Sequence, residues 1–371
     1  MRQVDATIML ITRMEVYIVK GLSLFAGAGI GETYLKRNGI DIVVANEIVP
    51  KRAKLYESLY PECKMICGDI TNDEVFNRIM QEATGVNFII ASPPCQGMSV
   101  AGKNRCLESM LQDSRNYLVT RVIEAIKILS PKYVLIENVP ALLKIKLPYD
   151  GKLVSIPELL EINFGRKYHI DNKVIDASDC GVPQSRLRAI IKMYPLNEVW
   201  KWPEPVEHKV TVREAIGYLP SLEAGEKSDI KWHYARKHDI RHIEWMKHTA
   251  TGTSAFSNEI YYPQKKDGTR IKGYESSYRR IKWDEPAPTI TMRNDAISSQ
   301  RNVHPGRLLK DGTYSDARVL TPLELMILDS LPKNWNIPDD TPEILIRQVI
   351  GESIPPLLIE KIVRNIQCLK N

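Results

Sequence analysis

Short apolar runs recur through the first half of the chain, each followed by a turn and a stretch with helical spacing. Residues 17–25 read as the first strand, 42–45 as the second, ending at Glu47, and 65–67 as a third. Further strands are predicted over 86–91, 133–136, 173–176 and 189–193. The runs are continuous rather than alternating, which is the pattern of strands buried on both faces of a parallel sheet. Helical stretches are predicted over 32–38, stopped by Gly39, over 72–81, and over 116–129, where the apolar positions lie on one face. The rhythm is that of an α/β fold with a Rossmann-like, mostly parallel sheet.

Beyond about residue 195 the rhythm breaks. Trp200-Lys201-Trp202-Pro203 opens a loop-rich stretch, and 274–291 read as short strands with turns around Pro286-Ala287-Pro288. Three parts are expected: 1–194 as the α/β part, 195–315 as a smaller loop- and strand-rich domain, and 316–371 as a C-terminal segment.

Composition is that of an ordinary globular chain, with 371 residues and a formal net charge of +6. From Gln264 to Lys310 there are eleven Lys or Arg against five Asp or Glu, an excess equal to that of the whole chain. With Tyr274, Tyr278 and Trp283 interleaved, this block suits a polyanion; the plain alternative is a solvated basic face. No apolar run is long enough for a membrane span, and the first residues lack a signal-peptide cleavage pattern. The six cysteines show no C-x-x-C pair and no disulfide framework, so a reducing cytoplasm is expected. His238 and His242 have i, i+4 spacing; without an acidic or cysteine partner a solvated helix face is favoured over zinc, and no metal is expected.

The candidate chemistry sits at strand ends. Ser92-Pro93-Pro94-Cys95-Gln96-Gly97 follows the strand over 86–91, and two prolines cannot prolong it. Cys95 is therefore offered at the carboxyl rim, either as a nucleophile or as a small core thiol. Glu137 ends the next strand on the same rim, as an acid facing a shared substrate or as a solvated strand end. The first turn carries Gly27 and Gly29 as G-x-G-x-G, and Glu47 follows Gly27 at the spacing, about 20 residues, of an acid that takes ribose hydroxyls. Asp69 can accept from an adenine amino group or cap the helix over 72–81. Arg186 and Arg188 alternate on one strand face and can hold a carboxylate, a phosphate or a base carbonyl; alternatively they form surface ion pairs.

Taken in order, Phe25-Ala26-Gly27-Ala28-Gly29, Asn46-Glu47, Gly68-Asp69-Ile70, Pro94-Cys95-Gln96, Glu137-Asn138-Val139, Gln184-x-Arg186-x-Arg188, Arg318-x-Leu320-Thr321-Pro322-x-Glu324 and Gly351-x-x-x-Pro355 resemble the DNA cytosine-5 methyltransferases. Asp113-Ser114-Arg115 and Leu118 fit too. The resemblance implies S-adenosylmethionine as methyl donor, S-adenosylhomocysteine as product, and a flipped-out cytosine in double-stranded DNA as acceptor. It implies catalytic roles for Cys95 as covalent nucleophile at C6, Glu137 as proton donor, and Arg188 with Arg186 behind it. Phe25, Gly27, Gly29, Glu47, Ile48, Asp69, Ile70, Pro94, Leu118 and Ser353 are implied at the cofactor. Gln96, Ser99, Arg279, Arg280, Arg293, Asn294 and Arg301 are the candidate DNA contacts, with 103–112 as a loop that closes over the base. Two positions depart from the family. Glu352 stands where Asn is usual, so that a carboxylate would repel the cofactor's carboxylate or attract its ammonium. Ile48 stands where some members carry an aromatic. The last segment, 344–369, is implied to return beside the first strand. A monomeric methylase of a restriction-modification system is expected, with a cognate restriction endonuclease acting separately. An RNA (tRNA) cytosine-5 methyltransferase is the alternative. A nicotinamide-dependent dehydrogenase leaves Cys95 and Glu137 unexplained.

Overall fold

Seven strands form one sheet in the order β3-β2-β1-β4-β5-β9-β8. They are β1 (Val19–Leu24), β2 (Ile40–Glu47), β3 (Lys64–Cys67), β4 (Phe88–Ala91), β5 (Tyr133–Asn138), β8 (Tyr168–Asp176) and β9 (Leu187–Pro195). A hairpin of β6 (Lys146–Tyr149) and β7 (Lys152–Ser155) stands apart. These elements come from a computed structural model, which describes residues 18–94 and 117–366.

The first five strands pair in parallel, and β9 runs antiparallel to both β5 and β8. All residues of β4 and β5 are buried, which is why they read as unbroken apolar runs. The chain leaves β1 toward β2 and β3 on one side, then returns to place β4 on the other. The order therefore reverses at β1, and the crevice beyond the carboxyl ends of β1 and β4 is where such sheets bind ligands. The glycine turn and the two prolines both sit there.

Helices α1 (Pro50–Leu59), α2 (Asp73–Glu82), α3 (Leu118–Leu129) and α4 (Ile156–Phe164) accompany the sheet. Asn72, not Asp69, caps α2: its side chain accepts from the backbone N–H of Glu74 and Val75. The helix expected over 32–38 is instead two 3-10 turns, Ile30–Glu32 and Lys36–Asn38. They lie between left-handed glycines, Gly29 at φ 72° and Gly39 at φ 79°, and that short span buries Ile30 and Leu35 without room for a regular helix.

The middle of the chain carries two short helices, α5 (Val212–Ile216) and α6 (Ile240–Lys247). The short strands expected over 274–291 reduce to isolated bridges such as Ser254 with Arg279 and Arg280 with Val303. Trp245, Met246, Tyr278, Ile297, Val303 and Val319 pack together there. His238 precedes α6, whose cap is Asp239, so it does not share a helix face with His242. Its Nε2 accepts from the Val319 N–H at 3.4 Å, and both rings are half-buried.

Helices α7 (Pro322–Leu328), α8 (Glu343–Glu352) and α9 (Pro356–Val363) close the described chain. Leu358, Ile359 and Ile362 of α9 share a core with Val19 of β1, Ile40 of β2 and Phe88 of β4. The Trp200 indole N–H donates to the Ile362 carbonyl at 2.8 Å, joining residue 200 to the same core. No helix among the described residues is long and apolar enough to cross a membrane.

The motif Arg318-x-Leu320-Thr321-Pro322-x-Glu324 has an internal role. Arg318 is fully buried and donates to Glu324 at 2.8 and 3.0 Å, to Asp316 at 2.9 Å and to the Leu222 carbonyl at 2.7 Å. Breaking one member of such a cluster strands the others without compensation. Arg318→Ala is expected to cost about 3–5 kcal/mol, read as a lower urea midpoint. Burial works to raise the Glu324 carboxyl, but Arg318 and the His233 contact outweigh it and hold the group well below the usual carboxylate range. That stabilisation is complete above the ordinary carboxylate value and is lost as pH falls through the depressed one.

Candidate active site

The chain leaves β1 in strained turns. Phe25 has φ 60°, Gly27 φ 59° and Gly29 φ 72°. A side chain at Gly29 would strike Tyr60 at 2.4 Å and Tyr56 at 2.7 Å, so α1 can pack here only against glycine. A side chain at Gly27 would meet nothing within 4 Å, so this turn faces open space. The Gly27 N–H donates to Glu47 Oε2 at 2.9 Å, and the Val49 N–H donates to Glu47 Oε1 at 2.8 Å. Both oxygens keep a second lone pair for a ligand hydroxyl. Asp69 Oδ1 accepts from the Thr71 N–H and hydroxyl at 2.9 and 2.8 Å. Ile48 is 56% exposed, an apolar face beside Glu47. Pro94 and Leu118 are half-buried. An open glycine cradle, a fixed carboxylate and an uncovered aliphatic face fit a nucleoside-bearing cofactor.

Two expected cofactor contacts are otherwise engaged. The Ile70 side chain is packed in the core with Leu22, Val44 and Phe76. The Ser353 hydroxyl donates to buried Asp329 at 2.6 Å, because the end of α8 is secured there.

Glu137 is buried near the end of β5, opposite Ile190 of β9. Arg188 Nε lies 2.7 Å from Glu137 Oε1. Burial pushes the Glu137 carboxyl above its usual range; Arg188, then Arg186, then a hydrogen bond with Ser92 pull the other way. Asn138 Nδ2 donates to the Pro93 carbonyl at 2.7 Å. The backbone two residues before Cys95 is thus tied to the strand that carries Glu137. This role of Asn138 was not legible from its side-chain type. Cys95, Gln96, Ser99, the loop over 103–112 and Asp113-Ser114-Arg115 lie outside the described residues.

Arg186 differs from the expected substrate grip. It is buried, donating through Nη1 to the Ile290 carbonyl at 2.7 Å and through Nη2 to the Gly351 carbonyl at 3.1 Å. Burial pushes its pKa down to about 9. It joins its own segment to those of Ile290 and Gly351. Gln184 adds to the same seam, donating to Asp329 at 3.0 Å and accepting from the Ile290 N–H at 2.9 Å.

Among the expected DNA contacts, Arg293 and Arg301 are exposed and Arg279 is half-buried. Arg280 and Asn294 are internal. Arg280 donates to the carbonyls of Met246 at 2.9 Å, His304 at 2.8 Å and Asp316 at 3.1 Å, satisfying backbone that has no sheet to pair with. Asn294 Nδ2 donates to the carbonyls of Thr291 at 2.8 Å and Arg347 at 3.0 Å. A cavity of about 470 Å³ lined by Asp239, Arg241, Gln264, Lys265, Lys266 and Gly268 was missed. Its signal was the Lys265-Lys266-Asp267-Gly268 turn, with Gly268 at φ 82°.

A family model described as C-5 cytosine-specific DNA methylase matches residues 19–368. The Type II methyltransferase M1.HgaI of Avibacterium volantium is 61% identical over 350 residues, covering 94% of this chain and 98% of that protein. The Type II methyltransferase M1.HphI of Haemophilus parahaemolyticus is 30% identical over 345 residues, covering 92% and 84%. A solved structure described as a prophage-encoded DNA modification methyltransferase of E. coli superposes with a TM-score of 0.69 at 21% identity, covering 95% and 99%. At that identity the likeness bears on the fold alone. With the family match running through nearly all of the chain, the protein belongs to the C-5 cytosine-specific DNA methylase family and is a DNA (cytosine-5-)-methyltransferase.

Proposed function

We propose that the protein methylates C5 of a cytosine within one specific duplex sequence, using S-adenosylmethionine, as the methylase of a Type II restriction-modification system. The observation that carries this reading is the tie between Asn138 and Pro93, which sets Cys95 next in sequence to a segment fixed beside the buried Glu137–Arg188 pair. The target base is stacked inside the helix, so it must be swung out, at a cost of a few kcal/mol. Cys95 as thiolate adds to C6, and the electron pair displaced from the C5–C6 bond moves toward N3. Glu137 in its acid form gives N3 a proton, and Arg188 holds the ring carbonyl. C5 is then nucleophilic. When bound, S-adenosylmethionine would supply the activated methyl group that C5 takes up, leaving S-adenosylhomocysteine. Removal of the C5 proton by a base re-forms the C5–C6 double bond as the Cys95 thiolate leaves, and the proton on N3 returns to Glu137. Phe25, the Gly27 turn, Glu47, Ile48, Asp69 and Leu118 would hold the cofactor.

Residues 195–315 serve as target-recognition domain, with Arg279, Arg293 and Arg301 on the duplex beside Gln96 and Ser99; 1–194 and 316–371 form the catalytic part. The protein acts as a monomer on DNA in the cytoplasm, and a separate endonuclease cuts the same sequence when unmodified. Bisulfite sequencing of DNA from cells expressing the protein is expected to show conversion-resistant cytosines at one recurrent sequence. Full conversion there, or methyl transfer to tRNA but not to duplex DNA, would overturn the reading.

A further inference from the structure

The start of α1 and the end of α8, some 300 positions apart, meet at the cofactor side of the crevice. Arg52 Nη2 lies 2.7 Å from a carboxylate oxygen of Glu352, and Arg52 Nη1 lies 3.8 Å from Glu47 Oε1. One turn back along α8, Lys51 Nζ donates to Gln348 Oε1 at 3.2 Å. The Arg52 Nε–H is buried and has no hydrogen-bond partner.

We propose that Arg52 is a positioning residue of the cofactor site, a clasp that holds the Glu47 turn against the end of α8. The inference rests on the proposed cofactor site. Glu47 is fixed by two backbone N–H groups, one of them from the Gly27 turn, so whatever shifts Glu47 also shifts the cradle. Glu352 and Glu47 are both carboxylates, and the guanidinium between them is what lets them share one wall. A planar guanidinium fork can serve two carboxylates at once, which an ammonium cannot do equally well. Burial and the Glu47 charge raise the Glu352 carboxyl, while Arg52 draws it down, as expected for two acids kept close by one cation. The far side of the same helix end is secured independently: Arg186 reaches the Gly351 carbonyl and Ser353 reaches Asp329. The clasp therefore controls the cofactor edge without setting the Arg188–Glu137 edge. It also accounts for an acid at 352, where the family usually has Asn: Arg52 is its counter-charge.

The test is equilibrium binding of S-adenosylhomocysteine by calorimetry, on the full chain, with thermal unfolding run beside it. Arg52→Gln is expected to weaken binding on the order of tenfold, with the loss appearing in KM for the cofactor rather than in kcat. Affinity for duplex DNA without cofactor should not move. Glu352→Gln should weaken binding by a similar factor, and the double variant no further than either single one, because the two act as a unit. Reversing the pair, Arg52→Glu with Glu352→Arg, should recover part of the loss. Additive losses in the double variant, or wild-type binding by a folded Arg52→Gln protein, would overturn the clasp alone. If the wild-type protein does not bind S-adenosylhomocysteine, the cofactor reading falls first and the clasp with it.

Discussion

Cys95→Ser is expected to abolish methyl transfer while leaving the folded protein able to bind its duplex. The reason is chemical. Addition at C6 needs a nucleophile that is anionic near neutral pH, and a thiolate meets that requirement where an alkoxide does not. Duplex carrying 5-fluorocytosine at the target cytosine gives the direct readout. Fluorine at C5 cannot leave as a proton does, so the sequence stops after methyl transfer with the sulfur still bonded to C6. Wild-type protein with cofactor should yield a DNA adduct that survives denaturation, and peptide mapping should place it at residue 95. Cys95→Ser should yield none. Turnover at the wild-type rate by that variant would remove covalent catalysis from the mechanism, although the family would stand. Pro93 and Pro94 follow the run of β4, and Asn138 holds the Pro93 carbonyl.

The sheet was readable in the sequence because its central strands are buried on both faces. An apolar run as short as Phe88–Ala91, closed by a proline pair, is too brief for a helix and fits a buried strand. The strand ends were readable for the same reason, and with them Glu47 and Glu137. The middle of the chain was harder. A basic block does not say which of its cations are inside, and Arg280 is fully buried because loop carbonyls need donors that no sheet supplies. Asn294 was misread on the same ground: its amide spans two backbone carbonyls, and an amide suits a purine edge equally well. Arg186 matched a motif, but its partners, Ile290 and Gly351, are more than a hundred residues away and have no side-chain signature. Arg52 went unnoticed because its counter-charge at Glu352 comes from the other end of the chain. Long-range polar pairs of this kind leave no periodic trace, whereas burial of apolar strands does.

Glu137→Gln is expected to lower turnover by about 10²–10⁴-fold, the range for losing a positioned general acid. The pH profile should distinguish this from a binding defect. Glu137 acts when protonated, and burial raises its carboxyl above the usual range, with Arg188 and Arg186 opposing. In wild-type protein the rate governed by this group falls as pH rises through that raised pKa; in the Gln variant this limb should be absent. Arg188→Ala removes the strongest opposing charge, so it should move the limb to higher pH while also weakening the grip on the base. Stability should depend on pH with the same sign. A carboxyl raised on folding stabilises fully below its unfolded pKa, and the contribution is lost as pH rises through the folded pKa. An amide at 137 does not titrate, so this pH dependence of stability should be absent from the Gln variant. Glu137→Gln should remain folded, with thermal unfolding that no longer follows the titration of this carboxyl, while being far less active. A variant that retains wild-type turnover would reassign the proton delivered to N3 to another donor, and a variant that loses both activity and stability would recast Glu137 as a structural partner of Arg188.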